Sequence, residues 1–246
     1  MPIIEVVGIT KTLGGHAALS DVSFAARAGE FVAVLGPSGA GKTTLFRCMT
    51  GLLVPDRGEV RISGEPLDDR HREARRRIAV VFQQFNLVNR LSALDNVLAG
   101  RLGYVDAWRG WTRRFKRSDY LLALECLDRV GLLARAAQRA DTLSGGQQQR
   151  VAVARALAQG ADVIVADEPV ASLDPAIGAG ILELLRRIRG EGVAVVCSLH
   201  QVQLARRFAD RIVGLSHGRV VCDVAPAAFD RAAEEELYGP ATAPSA

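Results

Sequence analysis

The amino-acid sequence predicts an α/β protein with a mostly parallel core sheet and an inserted helical subdomain. Short apolar runs alternate with helical patterns along much of the 246-residue chain, as in proteins that form parallel sheets. Several runs are apolar at successive positions, which is typical of strands covered on both faces. The stretch from about 87 to 160 differs, because it contains several helical patterns and no convincing strand.

The expected elements follow from these patterns in chain order. We expect strands near residues 3–9, 31–35, 78–82, 162–166 and 193–199. We expect helices near residues 42–51, 119–130, 147–159, 175–190 and 201–209. The chain is thereby predicted to be one domain, with an α/β core formed by 1–86 and 161–238 and a helical subdomain formed by 87–160.

The composition narrows the possible classes of protein. With 49% hydrophobic and 24% charged residues, the chain resembles an ordinary soluble globular protein. No charged-then-apolar leader begins the sequence, and no apolar run approaches the roughly 20 residues that span a bilayer. We therefore expect a cytoplasmic protein that reaches a membrane only through a partner. The four cysteines lack CxxC spacing, which argues against a zinc site and a disulfide framework and favours small buried side chains.

A phosphate-binding loop is the strongest chemical motif. The apolar run FVAVL leads into GPSGAGKT, residues 36–43, and then into a helical pattern. Lys42 would bring a positive charge to the phosphates, and the Thr43 hydroxyl could ligate Mg²⁺. Three glycines would let the loop turn tightly and point its N–H groups at phosphate oxygens: Gly36, Gly39 and Gly41.

Polar residues follow three of the other apolar runs. Asp167 and Glu168 follow the apolar run VIVA in DVIVADEP, His200 ends VAVVCSLH, and Gln83 follows IAVVF. Alone, adjacent acids are typical of a solvated turn, and a lone histidine is usually structural. Beside a phosphate loop they become candidates for binding Mg²⁺, orienting water and contacting a γ-phosphate.

The stretch LSGGQQQR, residues 143–150, has two interpretations. Ser144 and Gln147 have the spacing of a capping box, which would stabilise the start of a helix. The two glycines between them would also let a phosphate approach the helix N-terminus. Local sequence leaves both interpretations open.

The ordered set GPSGAGKT, VFQQ, LSGGQQQR, VIVADEP, SLD and LH resembles the ATP-binding cassette (ABC) family over nearly the whole chain. The resemblance implies a P-loop NTPase fold with a small antiparallel β subdomain, and ATP and Mg²⁺ as cofactors. It also implies that residues 172–174 line a contact between two copies of the chain. It implies that one group of residues holds the triphosphate: Gly36, Pro37, Ser38, Gly39, Ala40, Gly41, Lys42, Thr43 and Thr44.

The same resemblance assigns the remaining site residues. Glu168 would act on the attacking water, and His200 would hold the γ-phosphate; Gln83 would ligate Mg²⁺ or water and face the membrane partner. Mg²⁺ would be ligated by Thr43, Gln83 and Asp167. The γ-phosphate of an ATP held by a second copy would be contacted by Ser144, Gly145, Gly146 and Gln147.

Longer stretches are similar to the ATPase subunits of bacterial phosphonate importers, including the segment 101–117 with Trp108 and Trp111. The family usually has an aromatic residue that stacks on adenine where this chain has Leu13. An aliphatic side chain could support the base, but stacking would be lost.

The implied assembly is a head-to-tail homodimer that drives transmembrane permease subunits and works indirectly with a substrate-binding protein. It would lie on the cytoplasmic face of the bacterial inner membrane. The alternatives are another importer, for example for amino acids, a soluble ABC ATPase of repair or translation, and a nucleotide-binding module without turnover. The basic clusters at 70–77 and 109–117 could bind nucleic acid, but a solvated face or a contact with the membrane partner is favoured, and no nucleic-acid partner is expected.

Overall fold

The structure is a computed structural model that describes residues 1–68, 71–105 and 114–239. Strands are numbered in chain order: β1 (Pro2–Leu13), β2 (His16–Arg27), β3 (Phe31–Leu35), β4 (Arg57–Ile62), β5 (Glu65–Pro66), β6 (Ile78–Phe82), β7 (Val163–Asp167), β8 (Ala194–Ser198), β9 (Arg211–Ser216) and β10 (Arg219–Val224). Helices are numbered likewise: α1 (Lys42–Met49), α2 (Arg72–Arg76), α3 (Ala93–Leu98), α4 (Arg117–Arg129), α5 (Gly145–Ala158), α6 (Pro175–Arg189), α7 (Val202–Phe208) and α8 (Arg231–Tyr238).

The central sheet has six strands in the order β10-β9-β3-β8-β7-β6. All neighbouring strands run parallel except β10, which pairs antiparallel with β9 at one edge. The mostly parallel core sheet is therefore confirmed. Strands β3 and β6 have the predicted bounds, and β7 and β8 differ from prediction by one residue at each end.

Strand β3 shows why continuous apolar runs form the centre of this sheet. Phe31, Ala33 and Leu35 face one hydrophobic cluster, and Val32 and Val34 face another. All five side chains are fully buried. Each face of the sheet is thus covered, so no position in the strand is available for a polar side chain.

A second sheet of four antiparallel strands, β2-β1-β4-β5, covers one of these faces together with α1. Only part of β1 is expected from the sequence. Strand β2 is missed because Ser20, Asp21 and Ser23 interrupt its apolar positions. The small antiparallel subdomain that the resemblance implies is nevertheless present in the fold.

Between β6 and β7 the described residues form helices, 3₁₀ turns and one isolated bridge, Ser92–Arg139, but no strand. Helices α3, α4 and α5 pack on one another and contribute to the cluster that contains Phe31. The division into a core (1–86 and 161–238) and a helical subdomain (87–160) stays a prediction. Trp108 and Trp111 lie outside the described residues.

The cysteine side chains are free thiols in the fold. Cys48, Cys126 and Cys197 are buried, and Cys222 is partly buried. Burial raises the pKa of both Cys48 and Cys126 to about 11. These thiols therefore act as small apolar side chains, as expected.

Candidate functional site

Three parallel strands end side by side at one edge of the central sheet. Strand β3 leads into the loop before α1, β7 ends at Asp167, and β8 ends at Ser198. Ala166 pairs with Cys197 in the ladder between β7 and β8, so the next residues, Asp167 and Ser198, lie next to each other. The order of the strands thus brings distant segments of sequence to one place.

The loop after β3 has a backbone that suits an anion. Gly41 has φ +104°, and a Cβ there would lie 2.5 Å from the carbonyl oxygen of Ala18, so only glycine fits. Gly41 is also the N-cap of α1, and no side chain caps this helix end. The first N–H groups of α1 and the positive end of its dipole are therefore available to a ligand.

Lys42 lies inside the loop. The residue is 5% exposed, and its ammonium donates hydrogen bonds to the carbonyl oxygens of Gly36, at 2.6 Å, and Pro37, at 3.0 Å. Burial lowers the pKa of Lys42, and the negative charges of Glu168 and Asp167 oppose this shift. A cation is thus held at the base of the loop with two carboxyl groups nearby.

Asp167 and Glu168 share a buried serine. The Ser198 hydroxyl donates to Asp167 Oδ1 at 2.8 Å and accepts from the Glu168 N–H at 2.7 Å. Burial raises the pKa of Asp167, although the hydrogen bonds from Ser198 and from the Thr43 hydroxyl favour its charged form. These contacts place the acid pair beside the first turn of α1.

Glu168 has an unusual backbone conformation, with φ +49°. Its Oε1 lies 2.6 Å from Nε2 of His200. Non-glycine residues in this left-handed region are uncommon and concentrate at functional sites. One cleft, called here the loop cleft, is lined by Ala18, Ser38, Gly39, Ala40, Gly41, Lys42, Thr43, Thr44, Glu168 and His200.

Two oxygen donors in this region fit Mg²⁺. The Thr43 hydroxyl is hydrogen-bonded to the Asp167 carboxyl, so a hydroxyl and a carboxylate already converge. Hard cations such as Mg²⁺ prefer such oxygen ligands, and phosphate oxygens and water molecules fill their remaining coordination positions. The pair could therefore hold the ion beside a phosphate in the loop.

Gln83 occupies a different position. It follows Phe82, which pairs with Asp167, and its amide nitrogen lies 3.3 Å from Ser172 Oγ. The side chain is exposed and does not line the loop cleft. The structure thus places Gln83 one strand away from Asp167 and in contact with the segment after Glu168.

Residues 144–147, called here the glycine tip, begin α5. Ser144 and Gln147 form the expected capping box, with Ser144 N–H donating to Gln147 Oε1 at 3.0 Å and Gln147 N–H to Ser144 Oγ at 3.4 Å. A Cβ on Gly146 would lie 2.4 Å from Cγ2 of Ile177. The tip does not line the loop cleft of its own chain, and Ser144 is exposed.

The rest of α5 fixes the segment that carries Gln83. Gln149 is fully buried, and its amide nitrogen lies 3.5 Å from the carbonyl oxygen of Phe82. The Arg155 guanidinium donates to the carbonyl oxygens of Phe85, at 3.1 Å, and Asn86, at 2.6 Å. Both acceptor residues have positive φ. The polar residues after the glycines therefore have structural partners of their own.

The sequence does not predict the contacts that Ser198, Arg155 and Tyr238 make at this site. The N–H of Gly36 donates to the Tyr238 hydroxyl, which ties α8 to the loop. A polar residue at the end of an otherwise apolar strand, CS in VAVVCSLH, is a signal that could have identified Ser198. The other two depend on tertiary packing that no local pattern reveals.

Leu13 lies at the end of β1, opposite His16 across a turn of two glycines. It is 43% exposed and does not line the loop cleft. The structure therefore leaves room around this side chain and does not place it against the loop.

A model of the family described as ABC transporter matches residues 19–171. The chain belongs to the ABC transporter family. Membership of this family makes it an ABC ATPase with an ATP-binding domain.

Two curated relatives extend over nearly the whole chain. The phosphonates import ATP-binding protein PhnC of Thiobacillus denitrificans is 51% identical over 245 residues, which are 97% of this chain and 93% of the relative. The hypophosphite import ATP-binding protein HtxD of Stutzerimonas stutzeri is 49% identical over 240 residues, 96% of this chain and 70% of the relative. Both are named as ATP-binding proteins of importers.

Solved structures of cassettes share the fold. The dimeric bacterial ABC transporter cassette MJ0796 superposes with a TM-score of 0.78 at 38% identity and covers 91% of this chain and 98% of its own. The same cassette in a dimeric post-hydrolysis state bound to ADP and Pi gives a TM-score of 0.75. Among the described residues of this ABC ATPase, no helix has the length and apolar character needed to cross a membrane.

Leu13→Tyr is expected to tighten ATP binding. A tyrosine at the position of the family's aromatic residue would restore a stacking surface, and base–aromatic stacking contributes roughly 1 to 3 kcal/mol. Calorimetric titration with ATP measures the change. Val7→Tyr is the matched control, since Val7 is 45% exposed on the same strand and does not line the loop cleft. Equal affinities of Leu13→Tyr and the unaltered protein would mean that adenine does not lie on residue 13.

Proposed function

We propose that the chain is the ATP-hydrolysing subunit of a bacterial importer for phosphonates or related phosphorus oxyanions. The observation that carries the enzymatic part is the loop cleft, where an uncapped helix N-terminus meets the Glu168–His200 pair. The importer and its substrate class are supported by the names of the two relatives, which cover nearly all of the chain.

The roles of the residues follow from the contacts in the cleft. Residues 36–44 would hold the triphosphate through backbone N–H groups and Lys42, whose ammonium is already inside the loop. Thr43 and Asp167 would hold Mg²⁺, which neutralises charge that develops on the phosphates. Glu168 would orient and deprotonate the attacking water, and His200 would donate a hydrogen bond to the γ-phosphate.

The location of the glycine tip supports a head-to-tail dimer. Ser144, Gly145, Gly146 and Gln147 lie apart from the loop cleft of their own chain, so they would contact ATP held by a second copy. Residues 172–174 would lie at the same junction, since Leu173 is close to Gly145. Gln83 lies beside Ser172, so it would connect this junction to the surface that faces the membrane partner. It could also complete the Mg²⁺ site.

The remaining partners are inferred from the kind of transporter. We propose that the dimer binds transmembrane permease subunits at the cytoplasmic face of the inner membrane and depends indirectly on a substrate-binding protein. The proposed substrates include both phosphonates and hypophosphite, because the hypophosphite relative is nearly as similar to the chain as the phosphonate relative.

The substrate class can be tested in proteoliposomes that contain the chain, its permease and its binding protein. ATP hydrolysis is expected to rise when a phosphonate or hypophosphite is supplied, since the proposed function couples hydrolysis to the import of that substrate. An amino acid is the negative control for substrate, and Glu168→Gln is the control for enzyme-dependent hydrolysis. Stimulation by the amino acid alone would reject the phosphorus substrate and keep the ATPase assignment.

Glu168→Gln is expected to lower the rate of ATP hydrolysis by on the order of a hundredfold or more, the usual scale for a catalytic acid–base group. The amide keeps the size of the side chain but cannot accept a proton from water. Turnover is measured with Mg·ATP, and bound ATP is measured on the purified dimer, where it should accumulate. Glu183→Gln, on the exposed side of α6, controls for the loss of one carboxylate. Turnover close to normal in Glu168→Gln would exclude the proposed role.

Mixed dimers test whether each site is shared between two chains. Lys42→Ala weakens the loop, and Ser144→Arg blocks the glycine tip. With one change on each chain, both defects fall in one site and the other site is intact. With both changes on one chain and none on its partner, each site carries one defect. The first arrangement should retain one ATP per dimer, and the second should retain few or none.

The measurement is bound nucleotide in differently tagged, purified mixed dimers, with Glu168→Gln in both chains to prevent turnover. Equal retention in the two arrangements would argue against shared sites. The glycine tip would then act only as the N-terminal cap of α5.

A further inference from the structure

The Ser198 hydroxyl makes two hydrogen bonds, one with each residue of the acid pair. The side chain is fully buried at the last position of β8. Its hydroxyl proton goes to Asp167 Oδ1 at 2.8 Å, and its oxygen accepts from the Glu168 N–H at 2.7 Å. Every other residue of β8 is apolar: Ala194, Val195, Val196 and Cys197. A hydroxyl at this point therefore serves the neighbouring strand and not the packing of β8.

The two contacts act on different parts of the acid pair. The bond to Asp167 fixes the direction of a carboxyl group that also meets Thr43. The bond to the Glu168 N–H fixes a backbone that has left the strand with φ +49°. A residue with a side chain keeps this conformation only where its surroundings hold it. The same backbone turn directs Glu168 to His200, at 2.6 Å.

We propose that Ser198 is a positioning residue for ATP hydrolysis, which holds the Asp167 carboxylate and the Glu168 backbone in one fixed relative geometry. The proposal rests on the proposed function of Asp167 and Glu168. Ser198 lines a second cleft beside Glu168 and does not line the loop cleft. It would therefore act through the acid pair and not on the nucleotide.

Three substitutions separate the hydroxyl from the space that it fills. Ser198→Ala removes both hydrogen bonds. Ser198→Cys keeps a similar shape but offers a weak donor and a weak acceptor. Ser198→Thr restores the hydroxyl. The matched control is Ser216→Ala, because Ser216 is also a buried serine at the last position of a strand in the same sheet, and its hydroxyl lies 3.1 Å from His217 Nδ1 and makes no contact with the acid pair.

The expected result is a loss in kcat without a matching change in KM. A displacement of about 1 Å in a reacting group lowers rates by about a hundredfold, so kcat should fall about tenfold to a hundredfold in Ser198→Ala and Ser198→Cys. KM for ATP should stay within about twofold, because the loop contacts are intact. Ser198→Thr should recover most of kcat, and Ser216→Ala should match the unaltered protein.

A second readout is independent of turnover. ATP binding is titrated by calorimetry at a series of Mg²⁺ concentrations and in EDTA. Loss of a residue that orients a metal ligand typically weakens metal affinity by about 10- to 100-fold. The Mg²⁺ concentration needed for half-maximal enhancement of ATP binding should therefore rise about tenfold in Ser198→Ala, and affinity in EDTA should not change.

Thermal unfolding shows whether each variant is folded. If the methyl group of Ser198→Thr does not fit, Ser198→Cys still shows the effect of weaker hydrogen bonds in a side chain of similar shape. Unchanged kcat and unchanged Mg²⁺ dependence in Ser198→Ala or Ser198→Cys would overturn the proposal. An equal fall in Ser198→Thr, with an unfolding temperature like that of the unaltered protein, would also overturn it. If the unaltered protein does not hydrolyse ATP, or Glu168→Gln leaves hydrolysis intact, the proposed function fails instead.

Discussion

The parallel register of β3, β8, β7 and β6 is the constraint on which the site depends. Parallel strands present their carboxyl ends at one edge, so the loop after β3 and the residues after β7 and β8 meet although they are far apart in sequence. A slip by one residue between β7 and β8 would turn Asp167 and Ser198 to opposite faces of the sheet. The valine-rich strands are buried on both faces, and this burial specifies the register that places Asp167 next to Ser198.

The site also depends on the cost of burying charge. Burial lowers the pKa of Lys42 and raises the pKa of Asp167, so desolvation opposes the charged form of both groups. The attraction between the lysine and the two carboxyl groups offsets part of this cost. A triphosphate entering the loop would be attracted by Lys42 and the N-terminus of α1 and repelled by Asp167 and Glu168. A divalent cation between phosphate and Asp167 would turn this repulsion into attraction, which is a physical reason for the metal to accompany the nucleotide.

The sequence predicts those parts of the structure that depend on local pattern. Strands β3, β6, β7 and β8 are continuous apolar runs, and their bounds follow to within one residue. Strands β2, β4, β5, β9 and β10 are missed. Strands β2, β4 and β10 mix exposed and buried positions and depend on long-range pairing, β5 has only two residues, and Gly214 interrupts the buried apolar run of β9. In the site, the loop and the acid pair are recognisable as motifs. The role of Ser198 could not be predicted from spacing, because it arises only when β7 and β8 lie side by side.

The glycine tip shows why a cap and a ligand site need not be alternatives. The capping box uses the side chains of Ser144 and Gln147, while Gly146 lets the tip pack closely on Ile177 and Gly145 lies near Leu173. These contacts fix the direction of the first turn of α5 and leave Ser144 exposed. A helix N-terminus with an exposed cap residue that does not line the cleft of its own chain is available to an anion that another molecule presents. In a symmetric pair each copy would present such an anion to the other, so packing within one chain would prepare a site that two chains complete.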